Sequence, residues 1–247
     1  MPNSLVLLVQ ILFILNSADM AGIKAFSLGQ QEFLYSWNIQ KKIWAKRSSG
    51  ELDHDVLLFL EHDPVFTLGI GGNEDNVLSR KSPLDGKNVP VLRINRGGEV
   101  TFHGPGQLMV YAIFDLRNYG KDVHVHCRKL EEIFVKYSCT IGLHIFRKDK
   151  SPGLWVGGLK ILSLGIGVRR WITMHGVSFN VSPNLDFFKM INPCGSIDER
   201  ITSLESLNLN VSSIGDLITD LIPICSEIFD QEVVVCEPND LDEILFS

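Results

Sequence analysis

Between Arg96 and Leu116 the chain passes from a polar, glycine-dense stretch, RGGEVTFHGPGQ, straight into LMVYAIFDL, nine residues with almost no polar interruption. An apolar run of that length bounded by turn-forming residues reads as a buried strand. Shorter strand signals recur around it, at 23–28 (IKAFSL), 56–60, 89–95, 143–146 (LHIF), 154–156, 159–165 and 173–181, and EHDPVFTLGIGG runs from a strand into a glycine-rich loop. Helical spacing is confined to three places. Gln30 to Lys46 carries Phe33, Leu34, Trp37 and Trp44 among lysines, Val123 to Cys139 follows a capping Asp122, and Ser213 to Phe229 is amphipathic. Strands outnumber helices and the regular βαβ rhythm is missing, which predicts an α/β (α+β) fold with a mixed sheet and helices on one side. No repeat, linker or compositional break interrupts residues 21–230, so one domain is expected.

The 247 residues suffice for a sizeable core, and a net charge of −6 excludes the basic footprint of a nucleic-acid binder. The charge is uneven. Residues 201–247 hold ten acids and no Lys or Arg, leaving 23 basic against 19 acidic residues and a net +4 in the first 200. An acidic partner is therefore expected on the body, and Arg147, Lys148, Lys150, Arg169 and Arg170 are the densest basic positions in its motif-bearing half. Five cysteines, an odd number without CxxC, suit a reducing compartment, so a cytoplasmic location is expected, or an organellar matrix in a eukaryote. Ser4 to Leu15 is almost wholly apolar but too short to span a bilayer, so no stable membrane insertion is expected. It lacks the basic flank and small-residue cleavage site of a signal peptide. The reading adopted is a domain over 21–247, acidic from about 205, with Met20 as a plausible start and residues 1–20 as an extension outside the fold. A hydrophobic N-terminal element and a signal peptide are the alternatives.

Three constellations could carry chemistry. In Arg96–Gln107, paired glycines admit a ligand close to the backbone, and Gly-Pro-Gly behind His103 makes a rigid turn. The alternative is a tight hairpin with a solvated Arg96. The spacing fits neither GxGxxG nor a P-loop, so a dinucleotide is not indicated. Lys160 lies between apolar neighbours in a strand, where burial would disfavour its charge and a thiol would couple to it, unless it is a surface lysine on an edge strand. Cys194, between Pro193 and Gly195, is the best nucleophile of the five cysteines, against the alternative of a structural turn residue. The sequence His124-Val125-His126-Cys127 invites a metal, but two residues apart on a helix the histidines diverge and only His124 and Cys127 share a face. No metal site is assigned.

Together EHDPVFTLG (61–69), RGGEVTFHGPGQLMVY (96–111), GLWVGGLKILSLG (153–165), HGVSFNV (175–181) and INPCG with ITSL (191–195, 201–204) resemble the lipoyl(octanoyl) transferase family in order and spacing. The resemblance implies the sheet fold of biotin and lipoate protein ligases. It makes Cys194 the acyl-thioester nucleophile and Lys160 the group that lowers its pKa. It assigns the acyl and substrate pocket to Arg96, Gly97, Gly98, Glu99, Val100, Thr101, Phe102, His103, Ser163, Leu164, Gly165, Gly176, Val177 and Ser178, with His175 and Asn180 in support. Octanoyl-acyl carrier protein is the implied donor. The implied acceptors are lipoyl domains of 2-oxoacid dehydrogenase complexes and the glycine cleavage H protein. No cofactor is implied, because the acyl group arrives activated. The alternatives are a lipoyl or octanoyl amidotransferase and a lipoate-protein ligase of the same fold.

Overall fold

The computed structural model describes residues 22–149, 151–193, 199–209 and 213–246. An eight-stranded mixed sheet runs through it in the order β11-β1-β2-β6-β10-β9-β8-β7. In chain order these are β1 (Ile23–Gln31), β2 (Asp55–His62), β6 (Gln107–Ile113), β7 (Phe146–Lys148), β8 (Ser151–Val156), β9 (Leu159–Arg169), β10 (Ile172–Asn180) and β11 (Val233–Cys236). β1 is parallel to β2 and β11, and the other pairs are antiparallel. A second sheet pairs β3 (Val65–Leu68) with β4 (Val91–Arg93) and β5 (Val100–His103).

The apolar run at 107–113 is buried at every position because both of its faces are covered. Leu108, Val110 and Ala112 point to one side, where α2 (Val123–Thr140) and α3 (Ile214–Phe229) bring Leu130, Phe134, Leu217 and Leu221. Met109, Tyr111 and Ile113 point to the other, against Ile39 and Ile43 of α1 (Phe33–Ser49) and Leu241 and Ile244 of α4 (Pro238–Phe246). The helices therefore flank both faces rather than one, since a strand apolar at successive positions needs a layer on each side.

Local signals set several boundaries. Asp122 caps α2 by accepting from the backbone N–H groups of His124 and Val125, and Ser213 caps α3 by accepting from Asp216 N–H. Helix α1 begins at Phe33 rather than Gln30, because Gln30 and Gln31 extend β1 against Glu61 and His62. The 143–146 signal shrinks to Phe146 at the head of β7. The acidic C-terminal segment folds: β11 completes the sheet beside β1, and α4 packs under it. Residues 1–21 lie outside the described residues; among those described, no helix is long and apolar enough to cross a membrane.

Candidate active site

The site is built on β9 and β10, whose register sets Ser163 beside Ser178, Leu164 beside Val177 and Gly165 beside Gly176. The Ser163/Ser178 and Gly165/Gly176 pairs share one face, and their small side chains leave a trough on the sheet. Gly176 has no alternative, because a Cβ there would lie 2.0 Å from the carbonyl oxygen of Val110 on the neighbouring strand. The RGG loop covers the trough: Gly97 N–H donates to Ile166 O at 2.9 Å, and a Cβ on Gly165 would meet Gly97 O at 3.0 Å.

A cavity of about 590 Å³ opens between them. Arg96, Gly97, Gly98, Glu99, Val100, Thr101, His103, Lys160, Ser163, Leu164, Gly165, His175, Gly176, Val177 and Ser178 line it. Phe102 and Asn180 are not among the lining residues. Phe102 alternates away from the cavity on β5 and stacks on Phe187 at 4.3 Å in a separate core. Asn180 accepts from Gln107 Nε2 at 2.9 Å and donates to Thr202 O at 2.9 Å, bracing the site from behind.

Arg96 is buried, which removes the solvated-hairpin alternative. Its guanidinium donates to Thr67 O at 2.7 Å, Glu99 O at 2.8 Å and Gly97 O at 2.9 Å, so it shapes the loop. His103 lies 3.2 Å from both Thr67 Oγ1 and Gln107 Oε1. His175 has a left-handed backbone, φ 63°, and its N–H turns out of the ladder to donate to Gln40 Oε1 at 2.8 Å. Its Nε2 sits 2.8 Å from Asn95 Oδ1, next to the RGG loop.

Burial is the leading cause of a depressed pKa at every buried histidine. His62 and His126 fall to about 4, His175 to about 3, and His103 well below the ordinary value. These imidazoles are neutral in the folded protein, whereas the unfolded chain protonates them near 6.5. Between those values the unfolded state binds more protons, so stability is full above about pH 6.5 and falls on acidification, by about 1.4 kcal/mol per pH unit per histidine. Urea midpoints measured from pH 7.5 down to pH 4.5 should decline steadily below 6.5. A flat profile would contradict neutral burial.

Lys160 is 4% exposed, so it is no surface lysine. Its backbone N–H donates to Arg200 O and its carbonyl accepts from Thr202 N–H, each at 2.8 Å, in a parallel bridge to Ile201. On the other flank, Ile191 bridges Val77, and Asn192 N–H donates to Asn76 O at 2.8 Å. Pro193 and Glu199 both line the cavity. Cys194 and its expected turn lie outside the described residues.

Of the other cysteines, Cys127 also lines the cavity, but burial and the Glu131 carboxylate push its thiol up to about 11. Burial raises Cys225 to about 12 and also raises Cys236. His124 joins Cys127 on the cavity wall, while His126 turns away to pack on Phe114 and Phe229.

Sequence reasoning missed the wall contributed by Val123, His124, Cys127, Arg128 and Glu131 of α2, and also Phe33, Met109, Tyr111 and Glu199. Glu131 is a buried carboxylate that accepts from Arg128, Arg147 and Gly153 N–H. The basic positions separate. Arg147 and Lys148 lie on the short β7 near this wall, whereas Arg169 ends β9, nine residues or about 30 Å from Lys160, and Arg170 follows in the turn. Lys150 is outside the described residues.

A mixed sheet carrying a glycine-loop cavity with a buried lysine agrees with the class that sequence comparison shows: the chain belongs to the lipoyl protein ligase A/B catalytic domain family, whose model matches residues 32–223. Within that class its relatives are octanoyltransferases. It is 45% identical over 186 residues to the octanoyltransferase of Geobacter sp. (strain M21), covering 75% of this chain and 86% of that protein. It is 41% identical over 188 residues to that of Thermoanaerobacter sp. (strain X514), covering 76% and 82%, and 35% identical over 223 residues to that of Desulforamulus reducens, covering 88% and 96%. The chain is an acyltransferase. Its fold is also that of lipoate-protein ligase A bound with ATP, with a TM-score of 0.67 at 17% identity and 92% coverage of both chains. The putative lipoate protein ligase from T. acidophilum with bound lipoic acid gives 0.68 at the same identity and coverage.

Proposed function

We propose that this protein transfers an octanoyl group from octanoyl-acyl carrier protein to a lysine of lipoyl domains, through a thioester on Cys194. The observation that carries the reading is Lys160, buried in the cavity wall and bridged to Ile201, seven residues after Cys194 in the chain. A free thiol is only a few per cent thiolate at pH 7, and a neighbouring ammonium stabilises the anion.

The Cys194 thiolate attacks the octanoyl carbonyl; the bond to the carrier's sulfur breaks, and Lys160 passes the cysteine's proton to the departing thiolate. The acceptor's neutral amine then attacks the enzyme thioester, the carbon–sulfur bond breaks, and Lys160 carries the proton lost by nitrogen to Cys194. The small side chains of Ser163, Gly165, Gly176 and Ser178 leave room along this part of the cavity wall for an acyl chain. No step consumes ATP or needs a metal, since a thioester is already activated. The acidic carrier docks beside α2 and β7 in this reading, where Lys129 and Lys148 stand, rather than at Arg169 and Arg170. Acceptors are lipoyl domains of 2-oxoacid dehydrogenase complexes and the glycine cleavage H protein.

The test is end-point transfer to a lipoyl domain. Octanoyl-carrier protein without ATP should give the octanoyl amide, and free octanoate with ATP should not. The reverse pattern would make the chain a ligase.

A further inference from the structure

Lys160 shares its end of the cavity with a second charge. Its Nζ lies 3.8 Å from Glu199 Oε2, with the two side chains 5% and 16% exposed. The other carboxylate oxygen accepts from Trp155 Nε1 at 2.9 Å, and Trp155 is fully buried, so its N–H is a fixed donor. The Lys160 ammonium in turn stands 5.0 Å above the Trp155 ring. A Cβ on Gly153 would lie 2.9 Å from Lys160 Cε, so the lysine stem runs against backbone with no room to swing that way.

The geometry points to Glu199 as a positioning residue for acyl transfer: anchored by Trp155, its carboxylate holds the Lys160 ammonium at the cavity wall. The role rests on the Cys194 thioester reading above. In each half-reaction Lys160 passes a proton between sulfur or nitrogen and a departing thiolate, and the ammonium must persist between receipt and delivery. An unpaired ammonium buried at that depth is strongly disfavoured, and an opposed carboxylate offsets the cost. The 3.8 Å separation exceeds a hydrogen bond, so the pair acts through charge rather than by sharing a proton. Trp155 completes the device, because a carboxylate free to swing toward solvent would leave the lysine. Glu131 cannot substitute, since Arg128 and Arg147 already hold it.

The test uses the full chain with Glu199→Gln, which keeps the shape and an acceptor for Trp155, and with Glu199→Asp, which keeps the charge. Octanoyl-enzyme formation and transfer to a lipoyl domain are followed by intact mass, with KM for both protein substrates and the thermal midpoint. The expected result for E199Q is a cooperative unfolding transition with a midpoint lowered by loss of the ion pair and recovered in E199D, unchanged KM values, and kcat lowered roughly tenfold to a hundredfold and partly restored in E199D. Wild-type kcat in E199Q, with Cys194 still acylated, overturns the role of Glu199 alone. So does a loss confined to KM, or an equal loss in both variants with a lowered midpoint. An octanoyl adduct that survives in a Cys194→Ala control overturns the thioester reading beneath it.

Discussion

Alanine in place of Cys194 removes the octanoyl adduct from the enzyme and lowers transfer to a lipoyl domain by at least about 10⁴-fold. The size follows from losing the covalent intermediate itself, because both half-reactions pass through that sulfur. The contrast with the other cysteines sharpens the test. Cys127 lines the same cavity, yet with its thiol pushed up to about 11 only about one molecule in 10⁴ carries the thiolate at pH 7. Cys225 is fully buried among apolar side chains, while Cys139 and Cys236 stand outside the cavity lining. Serine at any of these four should leave adduct formation largely intact. Full transfer by the Cys194 variant, or loss of the adduct in the Cys127 variant, would move the chemistry elsewhere.

Lys160 carries the second large effect, and its two roles separate by substitution. Lys160→Ala should slow both half-reactions by about 10²-fold or more, since it removes the cation and the proton carrier together. Lys160→Arg keeps a permanent cation that cannot take up a proton. It should retain part of acyl-enzyme formation, where the cation keeps Cys194 ionised after its proton is lost to water and the carrier can leave as a thiolate, and lose more of the transfer, where the attacking amine must give up a proton to a base. Arg is bulkier, and the stem lies against Gly153, so misplacement could slow both steps. The diagnostic quantity is therefore the ratio of the two single-turnover rates. A ratio unchanged from wild type would leave Lys160 as a cation only.

How much of this was legible in the sequence follows from how local each signal was. The apolar strand within LMVYAIFDL, the Asp122 cap and the amphipathic helix from Ser213 depend on near neighbours, and each stands where expected, whereas the apolar neighbours of Lys160 allowed either a buried or an edge-strand lysine and only the fold shows it buried. The two-sided placement of helices was implicit in the apolar run, but its second layer joins α1 to α4, a short acidic helix that, like β11, meets partners some two hundred residues away in the chain. The polar stretch RGGEVTFHG reads as a loop, yet Val100–His103 is a strand, made so by antiparallel pairing with β3. Gln30 and Gln31 continue a helical pattern, and pairing with Glu61 and His62 overrides it. In the site, the glycine and small-residue positions were readable because close backbone approach leaves few choices. Glu199 and Glu131 were not, because an acidic residue gives no sign in sequence of the tryptophan or arginines that will bury it.

The most direct measurement is intact-mass spectrometry of the full chain mixed with octanoyl-acyl carrier protein, without ATP and without an acceptor. The account predicts one added octanoyl group, mapped to Cys194 by peptide mass and discharged when a lipoyl domain is added. An enzyme that transfers octanoyl under these conditions while its own mass never changes, or that carries the group on Cys127, would contradict it.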